Sequence, residues 1–387
     1  MRRVYLDHNS TTPVDPRVAE AVRPYLAELF GNPSNLHSFG RECAEGLAGA
    51  REQVAGLIGA EPGEVYFTGS GSESDNWAVI GTVLRHQDRG RHIIASPVEH
   101  GAVLESVRYL CRRGFEATWL RVDEHGLVDP DEVRRAIRPD TILVTVMLAN
   151  NEIGTLEPVA EIAAVCRERG VICHTDAVAA AGKTEINVAA LGVDLLTISG
   201  HKLHAPKGVG ALYIRDRVEI DPLIHGGHQE RGMRAGTENV PGIVGLGKAC
   251  ELLAREWPDN AKRMRANRDR LEAGILARIP EVRRNGHPER RIPNTSHFSI
   301  AHVEGEALLL SLDLEGVALA SGSACSAGTT GASPTLEAIG VPPLYRNSPL
   351  RFSLGPETTA DDVDYTLDVL EAVVKRLRDI SPTWRRA

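Results

Sequence analysis

The sequence predicts an α/β protein: a largely parallel sheet covered by helices, with a smaller α+β unit following it. Three observations carry this. Short apolar runs alternate with helical repeats from about residue 64 to residue 214. Several of those runs stop abruptly in Gly-, Ser- or Asn-rich loops. Near Pro241 the alternation gives way to a long polar helical stretch. The 387 residues exceed what one ordinary core serves, so two domains are expected.

In order, a short strand at 4–7 leads into the loop Asn9-Ser10-Thr11-Thr12-Pro13. Helical periodicity covers 16–29, a turn-rich loop 30–38, and an amphipathic helix 41–58. The strand 64–68 runs into Gly69-Ser70-Gly71-Ser72-Glu73-Ser74, with a helix from there through 84. Strands at 92–96, 117–122, 141–148, 171–176, 195–199 and 210–214 are interleaved with helices at 102–113, 129–137 and 159–169. A long helix over 245–277, interrupted at Pro258, is expected next. Strands near 291–300 and 350–353 flank a helix at 305–314, and a last helix covers 360–379. The expected division is a large domain at 14–250 and a small one formed by 1–13 and 251–387.

Composition narrows the function. Hydrophobic residues make up 42% and charged residues 25%, the balance of a soluble globular chain. A net charge of −8 gives no reason to expect nucleic acid as a direct partner. No apolar run approaches the ~18 residues of a membrane span, and the start Met1-Arg2-Arg3-Val4 lacks the apolar core of a signal peptide. The six cysteines, at 43, 111, 166, 173, 250 and 325, include no Cys-x-x-Cys pair. That argues against a zinc cluster or disulfide scaffold and for a reducing cytoplasm.

The chemistry gathers at strand ends. Leu195-Leu196-Thr197-Ile198 suits a buried strand, and Ser199-Gly200 ends it, delivering His201 and Lys202 to the sheet edge where ligand crevices lie. A partly desolvated lysine there is an amine nucleophile for an aldehyde, although an isolated Lys is more often a surface charge. Gly71 and Ser72 open a helix whose free N–H groups suit an anion; a plain capping box at Ser70 and Glu73 explains the same residues equally well. The spacing is not that of a nucleotide loop. Asp176 ends another strand, as a partner for a cationic ring nitrogen or as a helix cap. His100 follows a third, able to stack on a planar cofactor and move protons. Asn150 and Asn151 follow a fourth, as neutral hydrogen-bond partners or turn formers. A parallel sheet gathers all of these at one edge. A lysine, an acid for a pyridinium and an anion-binding helix start together fit pyridoxal 5′-phosphate.

Tyr5-Leu6-Asp7-His8-Asn9-Ser10-Thr11-Thr12-Pro13, Gly31-Asn32-Pro33-Ser34, Val98-Glu99-His100, Asn150-Asn151-Glu152-Ile153-Gly154, Ser199-Gly200-His201-Lys202 and Ser321-Gly322-Ser323-Ala324-Cys325 closely resemble NifS/IscS-type cysteine desulfurases. These are class V aminotransferase relatives with the aspartate-aminotransferase-like fold (fold type I). The likeness runs in order from about residue 4 to 355. It implies that Lys202 carries the cofactor as a Schiff base, Asp176 holds its ring nitrogen, and His100 stacks on the ring and serves as acid and base. It further implies that Gly71, Ser72, Ser199 and His201 bind the phosphate, with Thr237 supplied by the partner of a homodimer. Arg351, aided by Asn151 and Asn32, would clamp the substrate carboxylate; an Arg fork suits that task.

Cys325 lies in a Gly/Ser/Ala stretch, 321–332, too poor in apolar anchors to pack as core. The resemblance makes it the thiol that takes sulfur from L-cysteine as a persulfide, leaving L-alanine, for an acceptor protein in iron–sulfur assembly, tRNA thiolation or another sulfur modification. No metal site is expected beyond transient cluster ligation by Cys325. The chain departs from the family at Ala179, where a Gln that bonds the ring's phenolic oxygen is usual, and at Ser72, His228 and Ala205. Selenocysteine lysis, cysteine β-lyase chemistry and a non-catalytic sulfur-relay scaffold are the alternatives.

Overall fold

The computed structural model describes residues 2–322 and 333–384. Cys325 and the rest of 323–332 lie outside the described residues. Among the described residues twelve strands form three sheets: β1 (Val4–Tyr5), β2 (Val65–Thr68), β3 (His92–Ala95), β4 (Glu116–Trp119), β5 (Thr141–Thr145), β6 (Ile172–Asp176), β7 (Leu195–Ser199), β8 (Gly210–Ile214), β9 (Val282–Asn285), β10 (Thr295–Ile300), β11 (Val317–Ala318) and β12 (Pro349–Ser353). The main sheet has seven strands in the order β2-β8-β7-β6-β5-β3-β4. β8 is antiparallel to both its neighbours, β7 and β2, and the remaining pairings are parallel. The C-terminal ends of β2, β3, β5, β6 and β7 therefore share one edge.

The inner parallel strands β3, β5 and β7 are buried on both faces, which is why they read as near-continuous apolar runs. One large apolar core under the sheet takes in Val54, Ile58, Val144, Cys166, Ile198 and Leu246. A second core, built on the three-stranded sheet β12-β10-β9, takes in Leu271, Ile275, Phe298, Phe352 and Leu370. The N-terminal strand β1 joins this second region, pairing in parallel with β11.

Prolines act differently in two helices. The helix expected over 16–29 divides into Pro16–Val22 and Pro24–Ala27, because Pro24 lacks the N–H and its ring crowds the preceding turn. Pro258, by contrast, does not interrupt its helix, which runs from Val240 to Arg278. Pro258 and Ala254, whose carbonyl it leaves without its helical partner, are both exposed, a setting in which the carbonyl need not be buried unpaired. The helix is also anchored on either side of the proline. Ile243, Leu246 and Cys250 pack in the first core, and Leu271 and Ile275 in the second. Strand β9, rich in arginine, carries no apolar alternation and was not expected from the sequence.

Candidate active site

A cavity of about 300 Å³ lies at the shared strand edge. Of the residues expected from the sequence, it is lined by Gly71, Ser72, His100, Asn151, Asp176, Ser199, His201, Lys202 and Arg351. Asn32 is exposed, its Oδ1 accepting from the Ser34 amide at 2.9 Å, and does not line it. Thr237 is exposed and also away from it.

Lys202 sits in a single tight turn, Gly200–Lys202, directly after β7. Its Nζ donates to the Asn9 and Ser10 carbonyls, the latter at 2.7 Å. The N-terminal loop is thus tied to the nucleophile. The same loop meets His201: Thr11 Oγ1 lies 3.1 Å from His201 Nδ1, and the His201 carbonyl accepts from the Thr12 amide at 2.9 Å. Burial, with the Lys202 charge beside it, pushes the His201 imidazole down to about 4, so the ring is neutral.

The helix Gly71–Asn76 starts against Ser199. Ser70 Oγ caps it, accepting from the Glu73 amide at 3.1 Å, while Gly71 and Ser72 face the cavity. A Cβ on Gly71 would lie 3.0 Å from Ser199 Cβ and 3.1 Å from Val178 Cγ2. One turn on, the buried Asp75 also lines the cavity, and its Oδ1 has no hydrogen-bond partner.

Asp176 ends β6 fully buried, with Oδ1 accepting from the Val178 amide at 2.8 Å. Burial raises its carboxyl, and His100 and Lys202 act against that by favouring the anion. His100 caps the helix Gly101–Cys111, its Nδ1 accepting from the Ala102 amide at 3.2 Å. An accepting Nδ1 is unprotonated, so the mobile proton sits on Nε2. Ligand atoms of Asp75, His100 and Asp176 all lie within 4.8 Å of one another.

Asn150 turns out to be architectural. Its Oδ1 accepts from the Glu152 and Ile153 amides and its Nδ2 donates to the Val98 carbonyl, each at 2.9 Å. This ties the loop after β5 to the loop carrying His100. Arg351, on β12, is almost wholly buried. It donates to Asp7 Oδ1 at 2.8 Å, Ser10 Oγ at 2.7 Å and the Asn151 carbonyl at 3.1 Å, and its Nε has no partner.

The sequence reading missed Asp75 and Lys183, both lining the cavity. Each stands four residues after a position it did single out, Gly71 and Ala179. That spacing was the available signal.

The aminotransferase class-V family model matches residues 4–366. Cysteine desulfurase IscS of Dictyoglomus turgidum is 50% identical over 381 residues, 98% of this chain and 97% of that one. Among solved structures, a NifS-like protein superposes with a TM-score of 0.91 at 37% identity, over 97% of this chain and 100% of the other. A structure of SspA in complex with cysteine gives a TM-score of 0.81 at 34% identity, over 92% of this chain and 99% of the other. With a strand-edge lysine, a buried acid and a matching sequence over nearly its whole length, the chain belongs to the aminotransferase class-V family.

Proposed function

We propose that this chain is a cysteine desulfurase: it moves the sulfur of L-cysteine onto Cys325 as a persulfide, releases L-alanine and hands the sulfur to an acceptor protein. The observation that carries the reading is that Asp176 on β6, Arg351 on β12, Lys202 in the turn after β7 and His100 in the loop after β3 line one cavity. The relatives named above support the same chemistry.

The residues present fit pyridoxal 5′-phosphate. Gly71 leaves a gap beside Ser199 that a side chain would fill, at the start of a helix, which is where a phosphate binds. Asp176 lies buried between His100 and Val178, a site for a ring N–H. The cofactor supplies an electron sink for the electrons of the cysteine Cα–H bond.

The chain's own groups do the rest. The Asp176 carboxylate holds a proton on the ring nitrogen. Ser72, Ser199, neutral His201 and the Gly71 N–H hold the phosphate. Lys202 Nζ takes the Cα proton and returns one, and His100 Nε2, lining the same cavity, exchanges a proton. Arg351, fixed by Asp7 and Ser10, binds the cysteine carboxylate, with Asn151 beside it. The Cys325 thiolate attacks cysteine Sγ. The Cβ–S bond breaks and the S–S bond forms. The bond pair stays on Cβ, which gains a proton, so no external oxidant is needed.

The chain acts as a homodimer, with Thr237 lent to the partner's phosphate. Leu26, Phe30, Leu36 and Phe39 are exposed within one stretch of chain, with the Phe30 and Phe39 rings 5.6 Å apart, apolar side chains that a second copy would cover. No helix among the described residues is long and apolar enough to cross a membrane, and all five described cysteines are free thiols, which supports a cytoplasmic setting. Parallel assays of alanine, pyruvate and keto acid from L-cysteine test the reading. Alanine alone is expected, with alanine and the visible cofactor absorbance both lost in Lys202→Ala. Pyruvate as the main product would replace it with β-lyase chemistry.

A further inference from the structure

Lys183 and Lys202 are the two described residues that line both the main cavity and a smaller one behind it. The two spaces therefore share a pair of lysines in their walls. The rear cavity measures about 20 Å³, room for one water. His8 stands in its wall, buried, with Nδ1 lacking any hydrogen-bond partner and Nε2 3.3 Å from Glu357 Oε1. Only a glycine at 355 admits that ring: a Cβ there would lie 2.3 Å from His8 Cε1. Lys183 is buried, and its Nζ donates to the Ala179 carbonyl at 3.1 Å. One carbonyl satisfies one of an ammonium's three N–H bonds. A water in the rear cavity would accept a second and donate to His8 Nδ1. Lys183 can then be charged although buried.

The mechanism above leaves Lys183 without a task. We propose that Lys183 is a positioning residue for Lys202: its charge, set in the shared wall, repels a proton from the Lys202 nitrogen and keeps that nitrogen reactive. This rests on Lys202 being the cofactor-bearing amine. The cause is like-charge repulsion across a wall that water barely screens. The same repulsion, after burial, brings Lys183 itself down to about 7. The effect is therefore full below that pH and fades as pH rises through it. The other charged or titratable groups around the pair are His8 and His204 in the smaller cavity, with Glu357 3.3 Å from His8, and Asp75, His100, Asp176, His201 and Arg351 in the main one. Asp176 draws protons toward Lys202, and Lys183 offsets that pull.

The test is a pH titration of the visible absorbance of the cofactor-loaded protein, which reports protonation of the Lys202 nitrogen. Lys183→Met should move the midpoint up by about one pH unit, a tenfold change in proton affinity, and Lys183→Arg should leave it near the wild-type value. Lys183→Gln, which keeps a donor for the Ala179 carbonyl, carries the same expectation as Met if the methionine variant does not fold. A purely structural role would lower the melting temperature with the midpoint unmoved, and that result overturns the proposal. Failure of the underlying functional reading looks different: wild-type protein would take up no cofactor, or Lys202→Ala would keep the absorbance.

Discussion

Arg351 on β12 and Asp7 in the N-terminal loop are joined through Nη2 and Oδ1 at 2.8 Å, with Arg351 almost wholly buried. This pair fastens the start of the chain to the strand that supplies the substrate fork. The Ser10 hydroxyl adds a second bond to the same nitrogen, and the Ser10 carbonyl holds Lys202. Substrate fork and nucleophile are thus registered through one loop.

Arg351→Lys keeps a charge but loses the planar fork. The charge-assisted bond it forfeits is worth about 1.5–3 kcal/mol. Its kcat/KM for L-cysteine should fall about 10- to 100-fold, chiefly through KM, in steady-state alanine assays. An unchanged KM would place the carboxylate elsewhere.

Asp176→Asn removes the anion that His100 and Lys202 favour. It should bind cofactor yet lose about 10²–10⁴ in kcat, the scale of a proton-holding group. Retained turnover would deny Asp176 its role.

Gly71→Ala brings a methyl to 3.0 Å from Ser199 Cβ and 3.1 Å from Val178 Cγ2. These neighbours must give by a few tenths of an ångström, in the cofactor cradle. Cofactor retention on dialysis should weaken about tenfold, a cost near 1.4 kcal/mol, with little change in the melting temperature of the cofactor-free protein.

Glu157 lies buried outside the site. Oε2 accepts from the Val128 amide at 2.9 Å, and Oε1 has no partner. Burial pushes its carboxyl up to about 8. In the unfolded chain it titrates near ~4.3. Between those values the unfolded state has lost the proton and the folded state keeps it, so this group's stabilisation is full at low pH and falls as pH rises to about 8. His174 acts in the opposite direction: burial holds its imidazole down to about 3, and its contribution is lost as pH falls below about 6.5. Glu157→Gln should therefore raise the melting temperature at pH 8 more than at pH 5. Equal shifts at both would show that Glu157 does not titrate across that window.

The strand ends made most of the site legible. β3, β5 and β7 are largely apolar runs that give way to polar loops, and the shorter apolar run 171–173 leads into β6's polar end, so the sheet edge and His100, Asn151, Asp176 and Lys202 near it followed from chain order. Arg351 did not follow that way. β12 belongs to the other sheet, and it was the resemblance that singled Arg351 out. Asp75 and Lys183 were hidden for a different reason. Each lies in a helical or turn segment, where the side facing the cavity is known only once the fold is. Pro258 misled because its local cost was clear, whereas the two cores that anchor its helix on either side draw on residues far apart in sequence.

The most direct test loads the protein with pyridoxal 5′-phosphate, adds L-cysteine labelled in sulfur, and reads the peptide containing Cys325 by mass spectrometry. The account predicts the added mass of one labelled sulfur on Cys325, with an equal amount of alanine and neither product in Cys325→Ser. Alanine formed at the wild-type rate by Cys325→Ser, or label on another cysteine, would contradict it.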